Sequence, residues 1–260
     1  MIPTGLYVYG VVGSDHPCDL SGLTAVGGTV GASGGAASHT MVGTVRRIQV
    51  GSLSAVVSTA PPDLRARRRD LQAHQQVLGE LLRQGSVLPM RFGVVSPDEA
   101  TLREDLVHGA DHYHRLLREL SGRVELNVKV LPDEEQMLRE VARDEPVVRR
   151  LRASDVGSYH SRLRLGEAVA TALQQRQHAD AHQVLETLGP LAVRTAVGPQ
   201  VAGTLLNAGF LVERTDTEVF AGAVDALGRR LGSRVQLRCT GPLPPYSFVS
   251  DERGGQGWDC

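Results

Sequence analysis

Apolar residues follow two periods along this chain, and the alternation between them predicts its elements. Leu6 to Val12 (LYVYGVV) is a dense run of β-branched and aromatic residues and predicts a strand. Val42 to Val50 and Leu53 to Ser58 predict two more, with Gly51-Ser52 as the hairpin turn between them. From Leu64 to Gln84 the apolar positions Leu64, Leu71, Val77, Leu78, Leu81 and Leu82 fall on one helical stripe, after a Pro61-Pro62-Asp63 start. Ser86 to Val95 (SVLPMRFGVV) predicts a strand whose internal proline makes it an edge or bulged strand. SPDEATLREDL predicts a helix start, with Ser96 as N-cap, Pro97 at the first helical position and Glu99 closing a capping box. That helix is expected to run to about Leu120 and to end at Ser121-Gly122.

The second half is more regular. Arg123 to Leu131 alternates as a strand, and Pro132-Asp133 opens a helix through about Ala142. A broken stretch after Glu145-Pro146 leads into a long helix from about Tyr159 to Leu188. Strands over Leu191 to Val197 and Leu205 to Val212, a helix marked by Val219, Val224, Leu227 and Leu231, and a strand from Val235 to Cys239 complete it. The order β-α-β-β-α-β, with extra helix in the first crossover, is the ferredoxin-like plan of a four-stranded antiparallel sheet with helices on one face. The first half reads β-β-β-α-β and then a helix. The expected fold class is therefore α+β with two domains: residues 1–121, an N-terminal α+β domain, and residues 122–241, a C-terminal ferredoxin-like (βαββαβ) domain with extra helices. Residues 242–260 are expected to form a C-terminal segment that packs back on the domains and ends in a mobile tail.

Composition narrows the function classes only a little. A chain of 260 residues with 41% hydrophobic and 22% charged residues is ordinary for a globular protein, and a net charge of -1 gives no reason to expect a polyanion partner. Cys18, Cys239 and Cys260 are odd in number and far apart, which fits a reducing cytoplasm better than a disulfide framework. The N-terminus has no basic region ahead of its apolar run, and no stretch approaches the roughly 18–20 apolar residues a membrane span needs. A cytoplasmic location and no membrane partner are the expectations.

No catalytic constellation assembles. The stretch from Gly27 to Ser38 is rich in Gly, Ala and Ser but lacks a Walker-type lysine and a following helix, so it predicts a flexible loop rather than a phosphate cradle. His108, His112 and His114 lie in one segment and His178 and His182 in another; i and i+4 histidines can share a metal, but no HExxH glutamate accompanies them, and surface histidines are the simpler reading. RARRRD fits a solvated helix face, and PDEE at Pro132 fits a helix cap. The predicted inner strands carry no aromatic platform for RNA, so no nucleic-acid partner is expected. Neither a catalytic residue nor a metal or cofactor site is expected, and the protein is not expected to be an enzyme.

Two stretches carry more information. One is VLPMRFGVV (Val87 to Val95) followed by the acidic helix start. The other is GPLPPYSFV (Gly241 to Val249), with three prolines and two aromatics in nine residues of a chain that is only 4% aromatic. Together with LYVYGVV and VELNVKV, four blocks in order from about residue 5 to 249, they make the chain resemble the GvpF/GvpL family of gas vesicle proteins. The resemblance implies an accessory or minor structural protein of gas vesicles, hollow protein shells filled with gas. It implies partnership with the small hydrophobic shell protein, a GvpA-type subunit, and with other accessory proteins of the vesicle. It further implies association with the vesicle, with the gas-facing side of the shell as one position, and an N-terminal α+β domain followed by a modified ferredoxin-like domain.

Residue by residue, Pro89, Arg91, Phe92 and Gly93 match the family's Pro-x-Arg-Phe-Gly block. Gly241, Pro242, Pro244, Pro245, Tyr246, Ser247 and Phe248 match its terminal block. Leu243 stands where the family commonly has tryptophan, so apolar bulk is kept and the indole N–H is lost. These positions are candidates for partner binding or for an interdomain clamp. Arg91 is either a buried, satisfied arginine in a domain interface or a partner contact. The terminal block is either a clamp, with Tyr246 and Phe248 packed in a groove between the domains, or a recognition strip; buried aromatics and proline-stiffened backbone favour the clamp. Two other classes compete with a vesicle assembly role: a small-molecule-binding regulatory module on the ferredoxin-like sheet, and a metal-dependent enzyme using the helix histidines. Neighbouring genes and metal analysis of the purified protein discriminate them.

Overall fold

A computed structural model describes residues 5–28, 44–154, 158–199 and 201–249. The Gly-rich loop from residue 29 onward and the tail from residue 250 lie outside the described residues. The fold is α+β and divides into two compact units. The first comprises residues 1–125 together with 243–260, and the second residues 126–242.

In the first unit, β1 (Leu6–Gly13) is central. It pairs antiparallel with β3 (Leu53–Thr59), which pairs with β2 (Arg46–Val50) through the hairpin at Gly51. Gly51 has φ +57, the left-handed conformation a two-residue hairpin turn demands. On its other edge β1 pairs with two short strands, β4 (Leu88–Pro89) and β5 (Val95–Ser96). The single strand expected over residues 86–95 is thus two strands. A turn from Arg91 to Val94 separates them, built around Gly93 at φ +102, where a side chain would be strained. Opposite Pro89 sits Gly10, where an added Cβ would come within 2.7 Å of the Leu88 carbonyl oxygen, so the strands approach only because that position is glycine.

Helix α1 (Arg68–Gln84) covers the sheet with Ala73, Val77, Leu78, Leu81 and Leu82 buried. It starts one turn later than its apolar pattern suggests. Asp63 instead takes ion pairs from Arg65 and Arg67 at 2.9 and 3.2 Å, holding the preceding segment in a local turn. The helix expected from residue 97 to 120 is two helices, α2 (Glu99–His108) and α3 (Ala110–Glu119), broken at Gly109. A Cβ there would lie 2.6 Å from the Tyr113 ring. The N-cap of α2 is Asp98, whose carboxylate accepts the Thr101 N–H at 2.8 Å; Ser96 belongs to β5 and does not cap.

The second unit begins within β6 (Arg123–Pro132), which spans the boundary. Asp133 caps α4 (Glu134–Asp144), accepting the Gln136 N–H. The stretch expected to be broken forms α5 (Pro146–Ala153), opened by its N-terminal proline. The long α6 (Tyr159–Leu188) has the predicted ends, with Ser158 as its cap and Gly189 after it. Strands β7 (Arg194–Val197) and β8 (Leu206–Glu213), helix α7 (Thr217–Leu231) and β9 (Val235–Leu243) follow. The sheet order is β7-β8-β6-β9, the ferredoxin-like arrangement. Its core joins Val128, Val130, Ala208, Phe210 and Val212 of the strands to Met137 of α4, Val184 and Leu188 of α6, and Phe220, Val224 and Leu227 of α7. Arg234 grips the buried Asp180 of α6 through two bonds at 2.8 and 3.0 Å, a bidentate pair that fixes the end of α7 to α6.

Candidate functional site

The two sequence blocks singled out above meet in the first unit, around one residue that the sequence reading passed over. His74 sits on the buried stripe of α1 and is 2% exposed. Its Nε2 lies 3.1 Å from the Met90 carbonyl oxygen. A carbonyl can only accept, so Nε2 carries the proton and Nδ1 is the acceptor. Nδ1 then receives the Tyr7 hydroxyl hydrogen at 2.8 Å. The Tyr246 hydroxyl oxygen, 3.2 Å from Nε2, shares the same N–H. One imidazole thereby ties together β1, α1, the turn after β4 and the C-terminal block.

Aromatic rings enclose it. Tyr9 stacks on His74 at 5.7 Å between centroids, while Tyr7 and Phe92 meet it edge-on at 5.7 and 5.8 Å. Phe92 also packs on Tyr7. Tyr9 accepts the Val26 N–H at 2.8 Å and shares a hydrogen bond with Ser58. Burial pulls the His74 pKa down from 6.5 to about 4, only partly offset by the bond to Met90, so the ring is neutral at pH 7. Burial likewise pushes the Tyr7 and Tyr246 hydroxyls well above the usual phenol range. Both ring nitrogens are committed to partners within the first unit, so the imidazole ties these elements together.

A second anchor lies at the third residue of β6. Glu125 is 4% exposed, and its two oxygens accept the Ser247 N–H at 2.9 Å and the Ser247 hydroxyl at 2.7 Å. Burial raises the carboxyl pKa, and the two Ser247 bonds oppose that rise. Two residues of one short 3₁₀ turn, Tyr246 to Phe248, therefore engage two separate buried polar groups, and Phe248 and Val249 are themselves buried.

The structure distributes the sequence-predicted residues accordingly. Pro89, Pro244, Pro245 and Phe248 are buried, and Phe92 and Tyr246 are half-buried against the same core. Arg91 and Gly93 are exposed. The reading of Arg91 as a buried, satisfied arginine is therefore corrected: the turn that turns Phe92 inward carries the neighbouring guanidinium outward. Leu243, at the end of β9, is half-buried. His74 could have been found from spacing, since it stands three residues after Leu71 and four before Leu78, in phase with the buried stripe.

The helix histidines go elsewhere. His108 and His112 fall on either side of the Gly109 break; His108 donates to the Glu104 carbonyl, and His114 bonds the Ser52 hydroxyl at 2.8 Å. His182 pairs with Glu186 at 3.2 Å. Among the described residues, no three His, Cys, Asp or Glu side chains converge as metal ligands. No described helix is long and apolar enough to cross a membrane.

Comparison with known proteins agrees with the four sequence blocks. The model of a family described as gas vesicle synthesis protein GvpL/GvpF matches residues 5–250. The chain is 42% identical over 247 residues to gas vesicle protein F of Streptomyces sp. (strain CB03234), covering 94% of this chain and 98% of that protein. It is 32% identical to gas vesicle protein L of the same strain, over 78% of this chain and 82% of that one. In fold it is similar to the crystal structure of the gas vesicle protein GvpF from Anabaena sp. PCC7120, with a TM-score of 0.77 at 22% identity, covering 96% of this chain and all (100%) of that one. A GvpF crystal structure from Microcystis aeruginosa gives 0.72 at 20% identity, over 95% and 99% of the two chains. The chain belongs to the GvpL/GvpF family of gas vesicle synthesis proteins.

Proposed function

We propose that this protein is an accessory or minor structural component of gas vesicles that binds the hydrophobic, GvpA-type shell subunit by surface contacts and supports vesicle assembly, without a cofactor and without catalysis. The observation that carries this is the family match over residues 5–250, reinforced by 42% identity across nearly the whole length of a gas vesicle protein F. Shielding apolar surface of the subunit until it enters the growing shell is the mechanism that fits a binding protein of this composition. The protein accompanies the vesicle in the cytoplasm, with the gas-facing side of the shell as one position.

Within that role the two blocks divide their work. Pro89, Phe92, Pro244, Pro245, Tyr246 and Phe248 clamp the terminal segment onto the first unit, a reading supported by their burial and by the bonds to His74 and Glu125. Of the candidate residues, Arg91 and Gly93 are exposed at the tip of the turn and open to a partner. The test is retention of the shell subunit on tagged, full-length protein, together with deletion of the gene in a strain that carries the vesicle cluster. Loss of retention on an unrelated control and absent or defective vesicles in the deletion strain are expected. Normal flotation of the deletion strain would refute the assembly role.

A further inference from the structure

Some charged runs on this surface are explained by their own surroundings. Arg65, Arg67 and Arg69 pair with Asp63 and Asp70. Asp133, Glu134 and Glu135 stand at the start of α4, where the positive end of the helix favours carboxylates. An acidic run around α2 has no such account. Residues 98–111 hold Asp98, Glu99, Glu104, Asp105 and Asp111 against Arg103 alone, a net charge of -4. Asp98 caps α2, and Glu99 binds Arg46 and Arg103 at 3.2 and 2.7 Å. Glu104 and Asp105 make no ion pair among the described residues. Asp105 lies in the last turn of α2 and Glu104 just before it, at the end where the helix dipole disfavours anions. Val107, three residues after Glu104 and on the same face, is 62% exposed.

A basic run in the second unit mirrors it. Residues 147–166 hold Arg149, Arg150, Arg152, Arg162 and Arg164 against Asp155 alone, a net charge of +4. All five arginines are exposed, and none makes an ion pair among the described residues. Arg149, Arg150 and Arg152 line a groove of about 740 Å³ beside Ala142 and Pro146. Asp144, close by in sequence, is already held by Arg143 at 2.7 Å. α5 packs on α6 through Val148, Leu165, Ala168 and Val169, which brings Arg162 and Arg164 to the same part of this unit. Those two stand in the first two turns of α6, at the end where the dipole disfavours cations. Tyr159, 71% exposed, and the exposed Leu163 share a face of α6 with Arg162.

We propose that the acidic face of α2 on one copy of this protein docks against the arginine face of α5 and α6 on a second copy. The two runs are equal and opposite in charge. Each faces solvent and is set against its own helix dipole, so each gains from an opposite charge supplied by another molecule. Val107 on one face and Tyr159 and Leu163 on the other give the contact an apolar centre. Because the two faces differ, the contact is heterologous: every joined copy keeps one face of one kind free, and association continues head to tail. Exposed ion pairs are individually weak and screened by salt, so the contact is reversible and salt-sensitive. It does not depend on the shell subunit being a partner.

The experiment is sedimentation velocity of the full-length protein alone across a concentration series, at about 0.05 M and about 0.5 M salt. Two charge reversals are compared with wild type: Glu104→Lys/Asp105→Lys and Arg162→Glu/Arg164→Glu. Both bring the helix ends into agreement with their dipoles, so thermal stability is expected to hold or rise while association falls. Wild type should associate beyond a dimer at low salt and at least tenfold more weakly at high salt, and each reversal alone should weaken association at least tenfold. An equimolar mixture of the two reversed proteins has one intact face of each kind, on different molecules, and should give a dimer that does not grow. All four changes in one chain should restore association. If a reversed protein loses its folded circular dichroism signal, Glu104→Gln/Asp105→Asn decides, with weaker association expected. Wild type that stays monomeric at low salt overturns the proposal, as does association that neither reversal weakens or a mixture that stays monomeric. Monomeric wild type whose arginine-reversed variant loses the shell subunit in the pull-down assigns that face to the shell subunit and likewise overturns it.

Discussion

Replacing His74 by glutamine isolates the contribution of one buried imidazole, because an amide can accept from Tyr7 and donate to Met90 but does not titrate. The folded-state pKa of about 4 lies below the ordinary 6.5, so the sign is determined. Above pH 6.5 the ring is neutral in both folded and unfolded chains and the full stability is present. As the pH falls from 6.5 toward 4, the unfolded chain takes up the proton and the folded one does not. Stability then drops by about 1.4 kcal/mol per pH unit, for a total of about 3 kcal/mol. His74→Gln loses the ring contacts with Tyr9 and Phe92 and should cost about 1–2 kcal/mol at pH 7.5. Its disadvantage should shrink and then reverse on acidification, with the gap between the two proteins changing by about 2–3 kcal/mol between pH 7.5 and 4.5. Glu125, whose raised pKa acts in the opposite sense, is common to both proteins and cancels in the difference. The measurement is urea-dependent hydrogen exchange of the α1 amides at Val77, Leu78 and Leu81, which reports opening of the first unit alone. Parallel pH profiles for wild type and variant would refute the assignment of His74 as a neutral, buried tie.

Three other perturbations separate anchoring from contact. Ser247→Ala removes the hydroxyl bond to the buried Glu125 and should destabilise the first unit by about 1.5–3 kcal/mol, with Ser247→Thr recovering most of it in chemical denaturation. Phe248→Ala, at a side chain only 3% exposed, should cost about 3–5 kcal/mol and speed proteolysis after β9. Arg91→Ala should leave stability within about 0.5 kcal/mol, since the residue is exposed, while weakening retention of the shell subunit in the same pull-down.

The sequence carried the long-range plan better than the local joints. The α6 boundaries were legible because a capping serine and a following glycine bracket an uninterrupted run. The ferredoxin-like plan of the second unit followed from alternation and connection alone. Joints failed where one residue's surroundings decide. Gly109 breaks a continuous helical pattern because the Tyr113 ring occupies the space of its missing Cβ. Gly93 folds one apolar run into two strands. Phe92 and Tyr246 were legible as members of separate blocks, but their meeting point was not. His74 is a polar residue on an apolar stripe, and only the distant hydroxyls of Tyr7 and Tyr246 explain why it is buried there. Glu125 reads as an ordinary solvent-facing position of an alternating strand until Ser247, 122 residues away, supplies its hydrogen bonds.

The first unit draws on both ends of the described chain, and this imposes an order on synthesis. Every strand and helix of the second unit except the last residue of β9 precedes Leu243 in the chain. A ribosome adding on the order of 5–20 residues per second releases that unit whole before Tyr246 and Ser247 emerge. Throughout that interval the earlier-made unit waits with its imidazole and its buried carboxylate lacking their final hydroxyl partners. The unit begun first is thus the one finished last, and a chain that stops short of Leu243 carries a completed second unit beside an unlatched first.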